Sequence, residues 1–135
     1  MIVCKFGGTS VASAEQIKKV ANIVKSNPER KIVAVSAPGK RSGDDIKVTD
    51  LLIDLADTAL AGGEKEKKID VVVNRYRAIT DGLGLDNTMT DIIAADLRER
   101  VQADRSNTDL FIDSIKASGE DNNAKVIASY FNSIG

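Results

Sequence analysis

Two short apolar runs begin the pattern. Ile2, Val3, Cys4 and Phe6 form the first, and Ile32, Val33, Ala34 and Val35 lie in the second, at residues 31–36. Each is brief, rich in β-branched residues and bounded by Gly, Pro or Ser. Neither alternates cleanly between apolar and polar positions, so both read as strands of a parallel sheet buried on its two faces. Between them, Ser13 and Gln16 stand three apart, as in a capping box. Ile17, Val20, Ala21 and Val24 then recur at helical spacing until Asn27-Pro28 stops the pattern. The unit is strand, helix, strand.

Helical spacing dominates the rest. After a loop at residues 37–48 rich in Pro, Gly, Ser and charge, Thr49 is placed to cap a helix with Leu52, Leu55, Ala56 and Ala59 on one face, closed by Gly62-Gly63. A second helix carries Ile69, Val72, Val73, Tyr76 and Ile79 and is closed by Gly82 and Gly84. Further helical patterns run through Ile93, Leu97 and Val101, and through Leu110, Phe111 and Ile115. A last one, expected to start near Glu120, carries Ala124, Ile127, Ala128, Phe131 and Ile134. Two strands are too few for the helices of a doubly wound α/β domain. The expectation is therefore a partial three-layer α/β/α arrangement, a piece of a larger domain.

Composition narrows the function classes. Apolar residues make up 42% of the 135, enough for one compact core. Charged residues make up 29% and nearly cancel, leaving −1, with no stretch of Lys and Arg free of nearby Asp and Glu. Nucleic-acid and membrane-surface partners are not expected from such a balance. Cys4 is the one cysteine and lies within an apolar run, and the N-terminal segment has neither the apolar core of a signal peptide nor a membrane span. A soluble, cytoplasmic protein is the expectation.

The candidate chemistry begins at Lys5-Phe6-Gly7-Gly8-Thr9-Ser10, where the first strand ends and a helix is about to start. Open α/β sheets bind ligands at that edge. Adjacent glycines let a phosphate approach the main chain, where successive N–H groups form an anion nest, and Lys5 adds a mobile positive charge. The lysine precedes the glycines and their spacing is short, so this is neither the Walker pattern nor the dinucleotide fingerprint. Taken alone, the segment reads equally well as a tight glycine turn beside a solvated lysine.

Four signatures occur in register: Lys5-Phe6-Gly7-Gly8-Thr9-Ser10-Val11, Val35-Ser36-Ala37-Pro38-Gly39-Lys40, Thr49-Asp50-Leu51-Leu52 and Gly119-Glu120. In order and approximate spacing they resemble the aspartokinase family, and the resemblance spans essentially the whole chain. It implies an amino-acid kinase fold, with residues 1–135 as the N-terminal part of the catalytic domain. The second, nucleotide-binding half of that domain and the regulatory ACT domains would lie beyond Gly135. It also implies transfer of the γ-phosphoryl of ATP, carried with Mg2+ held mainly by the phosphates, to the side-chain carboxylate of L-aspartate. This is the first step toward lysine, threonine and methionine.

By similarity, Lys5 lies among the transferring phosphates as the catalytic cation. Gly7 and Gly8 contact the phosphates through the main chain and Ser10 supports the turn, while Ser36, Thr49 and Glu120 hold aspartate. No residue is expected to ligate a metal. The family also implies a homo-oligomer for the full-length protein, and that residues 1–135 alone are inactive. Related kinases of glutamate or acetylglutamate, and a non-catalytic phosphate-binding or assembly module, are the competing readings.

The residue types suit that chemistry. A carboxylate nucleophile is already ionised at neutral pH, so the absence of histidine removes no required base. Phosphoryl transfer depends on positioning and on neutralising charge, which a lysine and a main-chain nest supply. Glu120 suits an α-ammonium, although an acidic residue at a helix N-terminus is its plainer reading. Thr49 and Ser10 also read as caps, and Ser36 as a strand-end hydroxyl. The loop with Lys40, Arg41, Asp44 and Asp45 is open to two readings, a lid beside the amino-acid site or a solvated charged loop. One departure stands out: the family commonly has Ser where this chain has Ala117, with Ser118 next to Gly119.

Overall fold

The structure, a computed structural model, describes all residues, Met1–Gly135. β1 (Ile2–Phe6) and β2 (Arg30–Val35) pair in parallel, joined by a short 3-10 turn (Gly8–Val11) and α1 (Ala14–Lys25). Ser13 caps α1 by accepting from the Gln16 N–H, as its spacing predicts. Four helices follow: α2 (Val48–Leu60), α3 (Lys65–Gly82), α4 (Thr88–Val101) and α5 (Thr108–Ile134).

Successive helices pack in pairs, and α5 returns to α2, closing a ring around the core. The apolar positions read from the sequence fill it: Leu52, Leu55, Ile69, Val72, Ile79, Ile93, Leu97, Val101 and Ile115 are all buried. Leu110 is 65% exposed, because Phe111 is the first residue of α5 to face inward, and of the expected last stripe Ile127 is buried whereas Ala124, Ala128 and Ile134 are exposed. Arg105, between α4 and α5, donates to Ala59 O and Val101 O and lies over the Phe111 ring, so one cation serves the C-terminal ends of α2 and α4.

Two expectations are corrected. The strands are not buried on both faces: Phe6 and Val35 pack toward the core, whereas Val3 and Ile32, paired in register, are 62% and 46% exposed. The helices of these residues cover only one face. Second, no helix starts near Glu120. α5 runs unbroken through Gly119, whose carbonyl accepts from the buried Tyr76 hydroxyl at 2.9 Å. A mid-helix glycine costs about 1 kcal/mol against alanine. Here a Cβ would lie 2.8 Å from Ala37 Cβ and 3.0 Å from Leu52 Cδ1, so close packing requires the glycine.

Tyr76 yields a pH prediction. Burial pushes its phenol well above the ordinary value of about 10. The folded chain then holds that proton more tightly than the unfolded chain, so the contribution is fully present below pH ~10 and is lost as pH rises above it, at about 1.4 kcal/mol per pH unit. Urea denaturation at pH 8 and pH 11 is expected to show that extra loss in the wild-type chain and not in Tyr76→Phe. Equal losses in the two proteins would contradict it.

Candidate functional site

The site is built where the two strands end. Past β1, Gly7 is extended (φ −74°, ψ 174°) and its carbonyl accepts from the Ser10 N–H at 3.1 Å, closing the 3-10 turn. Past β2, the Ser36 N–H donates to Phe6 O at 3.1 Å and the Gly39 N–H to Gly8 O at 2.8 Å. These bonds carry the pairing of the strands on into the two loops. The Val48 N–H donates to Pro38 O, which seats the first turn of α2 on the second loop.

The two glycines of the turn differ in what the fold asks of them. A Cβ on Gly8 would meet Ala37 O at 3.1 Å and Gly39 Cα at 3.2 Å, so Gly8 is small because the second loop lies against it. A Cβ on Gly7 would meet nothing within 4 Å, and its φ is open to any residue. Nothing within this chain requires glycine at that position.

The expected site residues fall into three groups. Gly7, Gly8 and Ser10 share the turn. Ser36, Thr49 and Glu120 are the chain neighbours of Ala37, Val48 and Gly119, and these three pack together: a Cβ on Gly119 would lie 2.8 Å from Ala37 Cβ and 3.7 Å from Val48 Cγ1. Ser36 is held at both ends, its carbonyl accepting from Asn123 Nδ2 at 2.8 Å. Lys5 stands apart, exposed beside Ala34 in register, on the uncovered face of the sheet with Val3. No cleft of the chain encloses Lys5 and Glu120 together.

Several plainer readings fall. Thr49 is not a cap: Lys47 occupies that position, because the bond from Val48 to Pro38 starts the helix earlier. Glu120 is not at a helix N-terminus. It is exposed, one turn before Ala124, which with Ile127, Ala128 and Phe131 lines a shallow groove against Val33 and Val35. That stripe brings Glu120 toward the end of β2. Ser118, the hydroxyl nearest the departure at Ala117, is buried and donates to Ile115 O in its own helix.

Sequence reasoning passed over Arg75. It sits on the apolar stripe of α3, between Val72 and Ile79, 6% exposed, and donates through Nη2 to Ala12 O at 2.7 Å and Gly39 O at 2.9 Å. Its Nε and Nη1 are buried without a partner. Burial draws this guanidinium below its usual pKa, Arg41 adds to the effect and Asp45 opposes it. A polar residue among buried apolar neighbours was the available signal, charged in Arg75 and uncharged in Asn123 on α5.

The charged loop folds on itself. Asp45 accepts from Arg41 through Nε at 2.7 Å, Nη2 at 2.8 Å and the main-chain N–H at 2.9 Å, which holds its carboxyl far below the usual range. On one side of this latch lies an open cleft of about 450 Å3 bordered by Thr9, Ser13, Gln16, Lys40 and Ser42. On the other, a cleft of about 410 Å3 reaches Ile46, Asn74 and Arg75.

The sequence profile described as the amino acid kinase family matches residues 1–135. The chain belongs to the amino acid kinase family. This amino acid kinase chain is 50% identical over 131 residues to aspartokinase 3 of Bacillus subtilis (strain 168), which covers 97% of it and 29% of that relative. It is 34% identical over 93 residues to the lysine-sensitive aspartokinase 3 of Escherichia coli (strain K12), covering 69% of the chain and 19% of the relative.

Two solved structures share its fold. The aspartate kinase of Clostridium acetobutylicum superimposes with a TM-score of 0.86 at 31% identity, over 98% of this chain and 29% of that one. Aspartokinase III of E. coli, in complex with aspartate and ADP, superimposes with a TM-score of 0.76 at 27% identity, over 98% and 29%. The chain thus spans about 29% of the length of the relatives it matches over nearly all of its residues.

Proposed function

We propose that this amino acid kinase chain supplies the phosphate-gripping turn and the amino-acid pocket of a kinase that moves the γ-phosphoryl of ATP to the side-chain carboxylate of L-aspartate. The observation that carries this reading is Gly7. It is extended and open where a side chain would stand, at the ligand-binding edge of a parallel sheet, with no packing reason within the chain to be glycine. A phosphate that approaches the main chain supplies such a reason.

The other roles are part of the same proposal. Gly8 and Ser10 shape the turn, and Lys5 reaches the same edge from the open face on a long, flexible stem. Ser36 and Thr49 offer hydroxyls to the bound amino acid, and Glu120 accepts from its α-ammonium. The aspartate carboxylate attacks the γ-phosphorus as the bond to the β–γ bridging oxygen breaks, and no proton has to be removed first. The chain gathers no group of three or more His, Cys, Asp or Glu. In this proposal the ion arrives on the nucleotide and neutralises phosphate charge. A cytoplasmic, homo-oligomeric full-length protein belongs to the same reading. No helix of the chain is long and apolar enough to cross a membrane.

The test is a chimera in which residues 1–135 replace the matching segment of the B. subtilis relative, given MgATP, L-aspartate and hydroxylamine. Hydroxamate is expected, at a higher rate than with glutamate in place of aspartate. The 135-residue chain alone is expected to give none above the blank. A folded chimera that makes no hydroxamate, or that prefers glutamate, would remove aspartate from the proposal.

A further inference from the structure

We propose, building on the kinase reading above, that Arg75 is a positioning residue: by holding Ala12 O and Gly39 O on one nitrogen, it sets the phosphate-gripping turn in register with the amino-acid loop. The two carbonyls belong to different halves of the site. Ala12 follows the 3-10 turn that begins at Gly8, and Gly39 lies in the loop that begins at Ser36. They lie 63 and 36 residues from Arg75 in sequence, so α3 provides a common fixed point for two segments that share no helix or strand.

Stability alone does not account for an arginine here. Burying a guanidinium is expensive, and two of its nitrogens have no partner. The nearest carboxylate, Asp45, is 3.8 Å away and already engaged with Arg41. An apolar side chain of similar volume would avoid desolvating the guanidinium and fill the space, though it would take the donor from Ala12 O and Gly39 O. What it could not do is bridge the two carbonyls, and that bridge accompanies the back-to-back contact of Gly8 with Gly39. The planar fork of arginine gives this hold a fixed geometry that the point charge of lysine lacks.

The test has two arms. In hydrogen exchange on the 135-residue chain, Arg75→Met is expected to lower protection of the Gly39 and Ser10 amides by about tenfold or more, while Leu97 in α4 keeps its protection. In the chimera, the KM values for ATP and aspartate are expected to rise together, by about fivefold or more per folded enzyme, with Arg75→Lys between wild type and Arg75→Met.

A purely structural role predicts fewer folded molecules with both KM values unchanged and Gly39 exchanging as in wild type. That result overturns the proposal. If Arg75→Met does not fold, Arg75→Lys decides on the same two readouts: intermediate shifts support the proposal and wild-type values overturn it. A folded wild-type chimera without activity defeats the kinase reading, and exchange at Gly39 and Ser10 still decides whether Arg75 holds the loops together.

Discussion

Gly39→Ala is expected to unseat both loops of the site at once and to lower the melting temperature by roughly 10 °C. A Cβ there would lie 2.6 Å from the Gly8 carbonyl carbon, 2.8 Å from Thr9 N and 2.9 Å from Gly8 O. All three are main-chain atoms and cannot rotate away as a side-chain tip could. One of the loops must therefore move, and the Gly39 to Gly8 bond and the Arg75 to Gly39 bond weaken with it. Overpacking costs about 1–3 kcal/mol and each weakened bond about 1 kcal/mol. Gly43 is the control, because a Cβ there meets nothing within 4 Å, and its alanine variant should stay within about 0.5 kcal/mol of wild type. Thermal melts followed by circular dichroism compare the two, and coincident curves would show that the contact between the glycine loops constrains nothing.

What the sequence made legible was whatever depends on local period. Both strands, the caps at Ser13 and Gly84, and the buried stripes of α1 to α4 follow from neighbours a few residues apart, and so does the glycine turn at a strand end. Gly119 shows where local reading fails. A glycine after a serine reads as a helix boundary, yet the close approach of Ala37 and Leu52 makes it an interior residue of a 27-residue helix. The cause lies about 70–80 residues upstream, and no window on α5 contains it.

Arg75 and Asn123 interrupt apolar stripes, but the sequence could not show what they hold, for a related reason. Their partners are the main-chain oxygens of Ala12, Gly39 and Ser36, which carry no residue-specific mark in a sequence. Burial of the sheet was misjudged because a β-branched run shows that a strand can be covered and not what covers it. The Val3 and Ile32 face has no helix over it within residues 1–135. The placement of Lys5 on that face follows from strand alternation once the covered face is known. The sequence could name the lysine before it could say on which side of the sheet it stands.

Lys5→Met in the chimera is expected to cut kcat by about a hundredfold to a thousandfold, the usual consequence of removing one preorganised charge from a developing anion. Met keeps the apolar stem and removes only the ammonium. Because Lys5 is exposed at the open face of β1, the stability of the variant should stay within about 0.5 kcal/mol of wild type. That separates it from Gly39→Ala and Arg75→Met, which act through the loops: Lys5→Met should lose rate at unchanged melting temperature. Lys5→Arg should recover part of the rate, since it restores the charge but presents a planar fork where a compact ammonium is expected among phosphate oxygens. A Lys5→Met chimera whose kcat stays within about twofold of wild type would mean that the transferring phosphoryl does not sense this charge. The turn would then bind phosphate without Lys5 driving its transfer, and the catalytic role would pass from Lys5 to other groups while the turnover itself kept the kinase reading.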